Sequence, residues 1–188
     1  ITSGMPSAND CIWDWKKLIY CSSQSSIPSF IDPKSDTCKN IIQKWLDNQG
    51  KYPPVGDAHE YSFYAEKALP IEGDRVKYFE HLAQGKQPYI GYKLLCLLNK
   101  YGIVKSVWST NFDGLVERAA QQANITPICI NLDCTDRIYR TESTNELLYI
   151  ALHGDYKYTS LKNTSKELDN QHPTFVTALK RYFNDKIS

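Results

Sequence analysis

Two short polar runs each close an apolar, β-rich run, and both hold residue types that do proton chemistry. Thr110-Asn111-Phe112-Asp113-Gly114 ends the run that begins at Ile103, and His153-Gly154-Asp155 comes directly after Leu147 to Leu152. A histidine titrates near neutral pH and can take a proton, while an amide can hold a water or hydroxyl without competing for that proton. A neighbouring carboxylate can anchor an amide-bearing ligand. The plainer alternative is that Asn111 and Asp113 cap a helix starting after Gly114 and that His153 is an ordinary loop histidine. The bare pattern weighs the two equally.

The elements that must position these residues change character along the chain. From Asn9 to Tyr101 the apolar spacing is helical, with helices expected over Asn9 to Tyr20, Asp36 to Asn48, His59 to Ala68, Gly73 to Ala83 and Pro88 to Lys100. Asn9 or Asp10 is available to cap the first, and the Ser-rich stretch from Ser22 to Ser29 breaks it. Gly50 and Pro53-Pro54 close the second in the order helix ends favour.

At Gly102 the pattern turns to strand. Ile103 to Thr110, Thr126 to Leu132 and Leu147 to Leu152 read as strands, with a helix carrying Leu115, Val116, Ala119 and Ala120 after the first. A polar connection is expected from Asp133 to Glu146. The third strand is apolar throughout, as strands covered on both faces are. Strand, helix, strand, connection, strand is the grammar of a parallel α/β sheet, whose ligands sit at the carboxyl ends of the strands. Thr164-Ser165-Lys166-Glu167 has capping-box spacing, so a helix is expected to start there. His172-Pro173 interrupts that helix, and a last amphipathic stretch runs from Phe175 to Phe183. The expected division is a mainly helical module at 9–101 and an α/β core at 102–188.

Charge and composition remove several classes of partner. Twenty-two Lys and Arg balance 21 Asp and Glu, which leaves no field to gather nucleic acid or an anionic membrane. The longest apolar runs fall far short of the ~20 residues of a spanning helix. The cysteines at 11, 21, 38, 96, 129 and 134 form no Cys-x-x-Cys pair, so neither a zinc ribbon nor a dithiol redox site has its spacing, and free thiols in a cytoplasmic protein are expected. No metal is expected. His59, His81 and His172 share no ligand spacing, the helical tyrosines read as core, and Asp133 to Asp136 reads as a solvated loop.

Three motifs occur in the order and rough spacing of three sirtuin signatures: Ser3-Gly4-Met5-Pro6, Thr110-Asn111-Phe112-Asp113 and Leu152-His153-Gly154. In sirtuins these read Gly-Ala-Gly-x-Ser-x-x-Ser-Gly-Ile-Pro, Thr-Gln-Asn-Ile-Asp and the catalytic His-Gly. The chain resembles the middle of such a domain. The opening Gly-Ala-Gly and its strand are expected before Ile1, and the later phosphate loop and last strands after Ser188. The two Cys-x-x-Cys pairs of the deacylating members have no counterpart, and Thr110 stands where they carry Gln. With the run His153 to Tyr158 and Leu161 to Thr164, the chain is more similar to the NAD-hydrolysing sirtuin-like domains of bacterial antiphage systems.

The resemblance implies a Rossmann-like sheet with helices on both faces and a helical insertion. It implies NAD as substrate, with Asn111 and His153 catalytic. The residues against NAD would be Ser3, Gly4, Met5, Pro6, Asn9, Thr110, Asn111, Phe112, Asp113, His153 and Gly154. Among these, Asn111 would hold the water or ribose hydroxyl, His153 would be the general base, and Asp113 would hold the nicotinamide carboxamide. It further implies a cytoplasmic effector domain fused to sensor or assembly regions in a homo-oligomer. Two other readings stay open. One is a module that senses NAD or a derived nucleotide without turning it over, and the other is an NAD-dependent protein deacylase, which the missing zinc pairs place behind hydrolysis.

Overall fold

The computed structural model describes residues 3–24, 32–140, 143–157 and 161–186. Ile1, Thr2, the Ser-rich stretch beyond Gln24 and Tyr158 therefore lie outside the described residues. The chain divides into two compact units, one of residues 6–71 and 163–165, the other of residues 1–5, 72–162 and 166–188.

The first unit holds three helices, α1 (Ala8–Ser23), α2 (Asp36–Asn48) and α3 (Glu60–Ala68). Ser7, rather than Asn9 or Asp10, caps α1. Its hydroxyl accepts from the Asp10 N–H while the Asp10 carboxylate accepts from the Ser7 N–H, which satisfies two donors at once. In α2 the Ser35 hydroxyl accepts from the Cys38 N–H, and Cys38, Ile42 and Leu46, four residues apart, are its buried side chains. Trp15 is fully buried with the Tyr61 ring edge-on at 5.0 Å. Beside it runs a buried ion pair of Lys16 and Glu60 at 2.6 Å, completed by Gln43 on the lysine and the Gly56 N–H on the carboxylate.

The second unit is an α/β fold of Rossmann-like kind. It contains α4 (Glu72–Ala83), α5 (Ile90–Lys100), β1 (Ser106–Ser109), α6 (Leu115–Gln122), β2 (Thr126–Ile130) and β3 (Glu146–Ala151). The short α7 (Ser165–Asp169) begins inside the capping-box motif, and α8 (Pro173–Lys186) takes Pro173 as its first residue, where the missing N–H costs nothing. The three strands are parallel in the order β1-β3-β2, so the most apolar strand is central. Alternation along β3 makes two cores. Leu147, Tyr149 and Ala151 pack with Cys96 of α5 and with Val116, Ala119 and Ala120 of α6, whereas Leu148 and Ile150 pack with Phe175 of α8. Helices thus cover both faces.

Three boundaries differ from the sequence expectation. β1 starts at Ser106 because the N–H groups of Ile103 and Val104 go to the Leu98 carbonyl, closing α5 behind the left-handed Gly102. β2 stops at Ile130 because the Asn131 side chain folds onto the Asp133 N–H at 2.9 Å. The connection after it holds a 3-10 helix, Thr135–Tyr139, over the second core. By contact, α4 and α5 group with the sheet, while the composition changes only at Gly102. Among the described residues no helix is long and apolar enough to cross a membrane.

Candidate functional site

Strand register brings the two central residues to one edge. Ser109 pairs with Ala151 on neighbouring parallel strands, and the Leu152 N–H donates to the Ser109 carbonyl at 2.9 Å. Asn111 and His153 each stand two residues past that pair. Because parallel strands share their carboxyl edge and lie about 4.8 Å apart, both residues leave the sheet at the same place. The Tyr149 hydroxyl, on the strand that leads to His153, lies 3.5 Å from the Asn111 carbonyl.

The loop from Thr110 to Gly114 is held from several sides. The Asn111 N–H donates to the Ser109 hydroxyl at 3.0 Å, and Asn111 and Thr110 are exposed. Asp113 is buried, and its carboxylate accepts from the Leu115 N–H at 2.9 Å, so it performs the helix-start task of the plainer reading. Gly114 has φ +61, and a Cβ there would stand 3.1 Å from Cε of Lys157. From α5 the Tyr92 hydroxyl comes near both the Asp113 carboxyl and the Asn111 side chain. Phe112 packs against Phe79 of α4 with ring centroids 4.7 Å apart. Burial raises the Asp113 carboxyl above its usual range, against the pull of the Leu115 N–H, Tyr92 and the Arg118 guanidinium.

The segment after β3 folds back on itself. The His153 carbonyl accepts from the Lys162 N–H at 2.8 Å, Gly154 pairs antiparallel with Leu161, and the Leu161 N–H donates to Glu72 of α4 at 2.9 Å. Burial first, and then the Lys162 ammonium, lowers the half-buried His153 imidazole below its ordinary value. At neutral pH it is therefore uncharged and able to accept a proton. Asp155 is fully buried, and burial pushes its carboxyl up to about 6. Its two oxygens accept from the Lys157 N–H at 3.1 Å and from the Tyr149 hydroxyl at 3.3 Å.

The expected NAD-contacting residues near the N-terminus separate. Ser3, Gly4 and Met5 group with the α/β unit, while Pro6 and Asn9 group with the helical one, Asn9 lying exposed in the first turn of α1. Gly4 has φ +79 and runs past Lys86, whose Nζ would be 3.4 Å from an added Cβ. The Lys86 carbonyl in turn accepts from Arg118, the cation that acts on Asp113. This chain of contacts links Gly4 to the Asn111 loop.

Sequence reasoning missed Tyr92, Tyr149, Arg118 and Asp155. Tyr92 stands four residues before the buried Cys96 on the α5 face that packs on the sheet, and Tyr149 shares a face of β3 with Ala151, the residue paired to the end of β1. Those offsets were the available signal. Two cavities of the α/β unit lie elsewhere. One, of about 270 Å³, opens at the amino edge beside Asn99, Lys105 and Glu146, and the other, of about 280 Å³, lies beside Trp108, Arg140 and Tyr182; neither is lined by Asn111 or His153. Compared with models of known protein families the chain finds no match, and compared with curated proteins it finds none either.

Proposed function

We propose that this chain cleaves the nicotinamide–ribose bond of NAD in the manner of the NAD-hydrolysing sirtuin-like domains. The observation that carries the reading is the placement of Asn111 and the neutral His153 two residues beyond paired positions of adjacent parallel strands. In the reaction the C1′–N bond breaks and nicotinamide leaves with the bonding pair, so positive charge develops on the ribose ring. Water then adds to C1′ and gives its proton to His153. The products are nicotinamide and ADP-ribose, or a cyclic relative if a second nucleophile of the substrate takes the place of water.

The supporting groups fit such a site. An amide has two N–H donors and one acceptor oxygen, so Asn111, exposed on the loop with Tyr92 beside it, can hold a water or ribose hydroxyl. A carboxylate offers about four acceptor positions. With the Leu115 N–H on one of them, Asp113 retains capacity for the carboxamide N–H of nicotinamide. On this proposal the activity belongs to a cytoplasmic antiphage effector fused to sensor or assembly regions and working as a homo-oligomer, as the resemblance implies.

The test is the full-length protein incubated with NAD under activating conditions, with nicotinamide release followed by chromatography. Wild type should consume NAD, and Asn111→Ala and His153→Ala should each lose at least about 100-fold in rate, the scale of a missing acid–base or positioning group. Intact NAD with wild type, indistinguishable from both variants, overturns the reading. Calorimetric NAD binding without nicotinamide release would mark a sensing module instead.

A further inference from the structure

We propose that Asp155 is a positioning residue that locks the Asn111 loop to the segment carrying His153 through a buried relay of Tyr149 and the Asp155–Lys157 turn. The proposal rests on reading Asn111 and His153 as the reacting pair. Asp155 sits two residues past His153, is fully buried, and the hydrogen bonds that reach it among the described residues come from neutral donors. One carboxylate oxygen holds the Lys157 N–H and so closes a turn over Tyr156. That turn aims the Tyr156 N–H at the Phe112 carbonyl, 3.3 Å away in the middle of the Asn111 loop. It also sends the Lys157 ammonium to the Glu117 carboxylate on α6.

The other oxygen shares the one Tyr149 hydroxyl proton with the Asn111 carbonyl, at 3.3 and 3.5 Å respectively. The same hydroxyl lies against the Asn111 carbonyl, so the carboxylate, the phenol and the Asn111 backbone form one line across the strand ends. Gly114 completes the arrangement, because a Cβ there would meet Lys157 at 3.1 Å and the Asp155 carboxylate at 3.5 Å. The two loops are therefore fastened at Asn111, Phe112, Gly114 and Glu117. The fastenings at Phe112 and Glu117 follow from the Asp155–Lys157 turn, and the one at Asn111 runs through the Tyr149 hydroxyl that Asp155 shares. A fully buried carboxylate whose hydrogen bonds among the described residues come from neutral donors is costly to keep, although the Lys157 ammonium offsets part of that cost, and a neutral side chain of the same shape would spare it. Its presence here suits an orienting task better than a stabilising one.

The test is Asp155→Asn in the full-length protein, with Tyr149→Phe as a second variant that removes only the hydroxyl. Amide hydrogen exchange at Tyr156 and Lys157 should quicken about tenfold in Asp155→Asn, because a charge-assisted bond has been weakened. In both variants kcat for NAD should fall at least about tenfold with KM unchanged, while the thermal midpoint does not drop in Asp155→Asn. Exchange at the wild-type rate in Asp155→Asn overturns the proposal, and so does a kcat unchanged in both variants. Should wild type leave NAD intact, the hydrolase reading falls, and the exchange rates alone decide whether Asp155 fastens the loops.

Discussion

Both units bury carboxylates, and they do so in opposite ways. In the helical unit Glu60 has a lysine at 2.6 Å and a backbone N–H at 2.8 Å, and that lysine has a glutamine besides. In the α/β unit Asp113 and Asp155 are buried against hydroxyls and backbone N–H groups, and burial raises both carboxyls. The first arrangement ties α1, α2 and α3 together through Lys16, Gln43 and Glu60. The second keeps charge where solvent does not reach, at the carboxyl edge of a parallel sheet, which is where perturbed carboxylates more often serve a site than a fold.

The largest effect expected is on the ion pair. Lys16→Ala leaves Glu60 buried and unpaired, and should cost about 3 to 5 kcal/mol of unfolding free energy in denaturant titration. Replacing both partners by apolar residues, Lys16→Met with Glu60→Leu, should recover most of that loss. A double variant as unstable as the single one would show that the pair does more than satisfy its own charges.

Next in size is the pH dependence of Asp155. A carboxyl raised in the folded state from 3.8 to about 6 favours folding below 3.8 and loses that contribution as pH rises through about 6. The difference is on the order of 3 kcal/mol. Relative to Asp155→Asn, wild type should therefore become less stable between about pH 4 and about pH 7. Tyr149 on β3, Lys157 on the same turn and Glu117 on α6 are the titratable or charged groups acting on it, and Asp113, raised by burial too, shifts in the same direction. Chemical denaturation of both proteins across that range checks the sign, and a flat difference would mean that the Asp155 carboxyl is not raised in the folded protein.

The helices were legible in the sequence through their periodicity, and the best bounded had punctuation as well. Asp36 to Asn48 matches α2 at both ends, with Ser35 before it and Gly50 after. The strands were legible as runs, but their ends are set by tertiary hydrogen bonds: Ile103 and Val104 look like strand and serve instead to close α5. Asn111, Asp113 and His153 could be picked out because they follow strands directly, and ligands of parallel sheets sit at the carboxyl ends of the strands. Asp155 could not be told from its neighbours, since its weight comes from complete burial, and burial depends on Tyr149 and Gly114 arriving from elsewhere in the chain. Tyr92 was hidden for the same reason. A tyrosine on a helix reads as core until the loop that meets its hydroxyl is known.

Gly114→Ala comes third. The residue is left-handed, with φ +61, and its added methyl would press on the Lys157 side chain at 3.1 Å. The backbone term alone costs about 1 to 2 kcal/mol. Lys157 can yield at its flexible end, so the loss of stability should stay near that value, while NAD cleavage should fall by more, because the yielding chain is the one that reaches Glu117. Equal losses in stability and rate would place Gly114 with the fold rather than the site.

The smallest effect belongs to the helical unit and runs opposite to Asp155. Ser7 and Asp10 form the reciprocal cap of α1, and removing the hydroxyl by Ser7→Ala should cost about 1 kcal/mol. The two bonds from Ser7, side chain first and backbone second, lower the Asp10 carboxyl below its usual value. A lowered folded-state value stabilises above the unfolded value of 3.8 and is lost as pH falls through the folded one. Acid should thus weaken the wild-type cap, and Ser7→Ala should flatten that dependence while its cost stays constant from about pH 5 to about pH 7. The two units would then carry carboxylates of opposite sign, one group at a helix start that favours folding when ionised and one at the sheet edge that opposes it. Helicity followed by circular dichroism from about pH 5 down to about pH 2 tests this, and an unchanged acid limb in Ser7→Ala would remove Asp10 from the account.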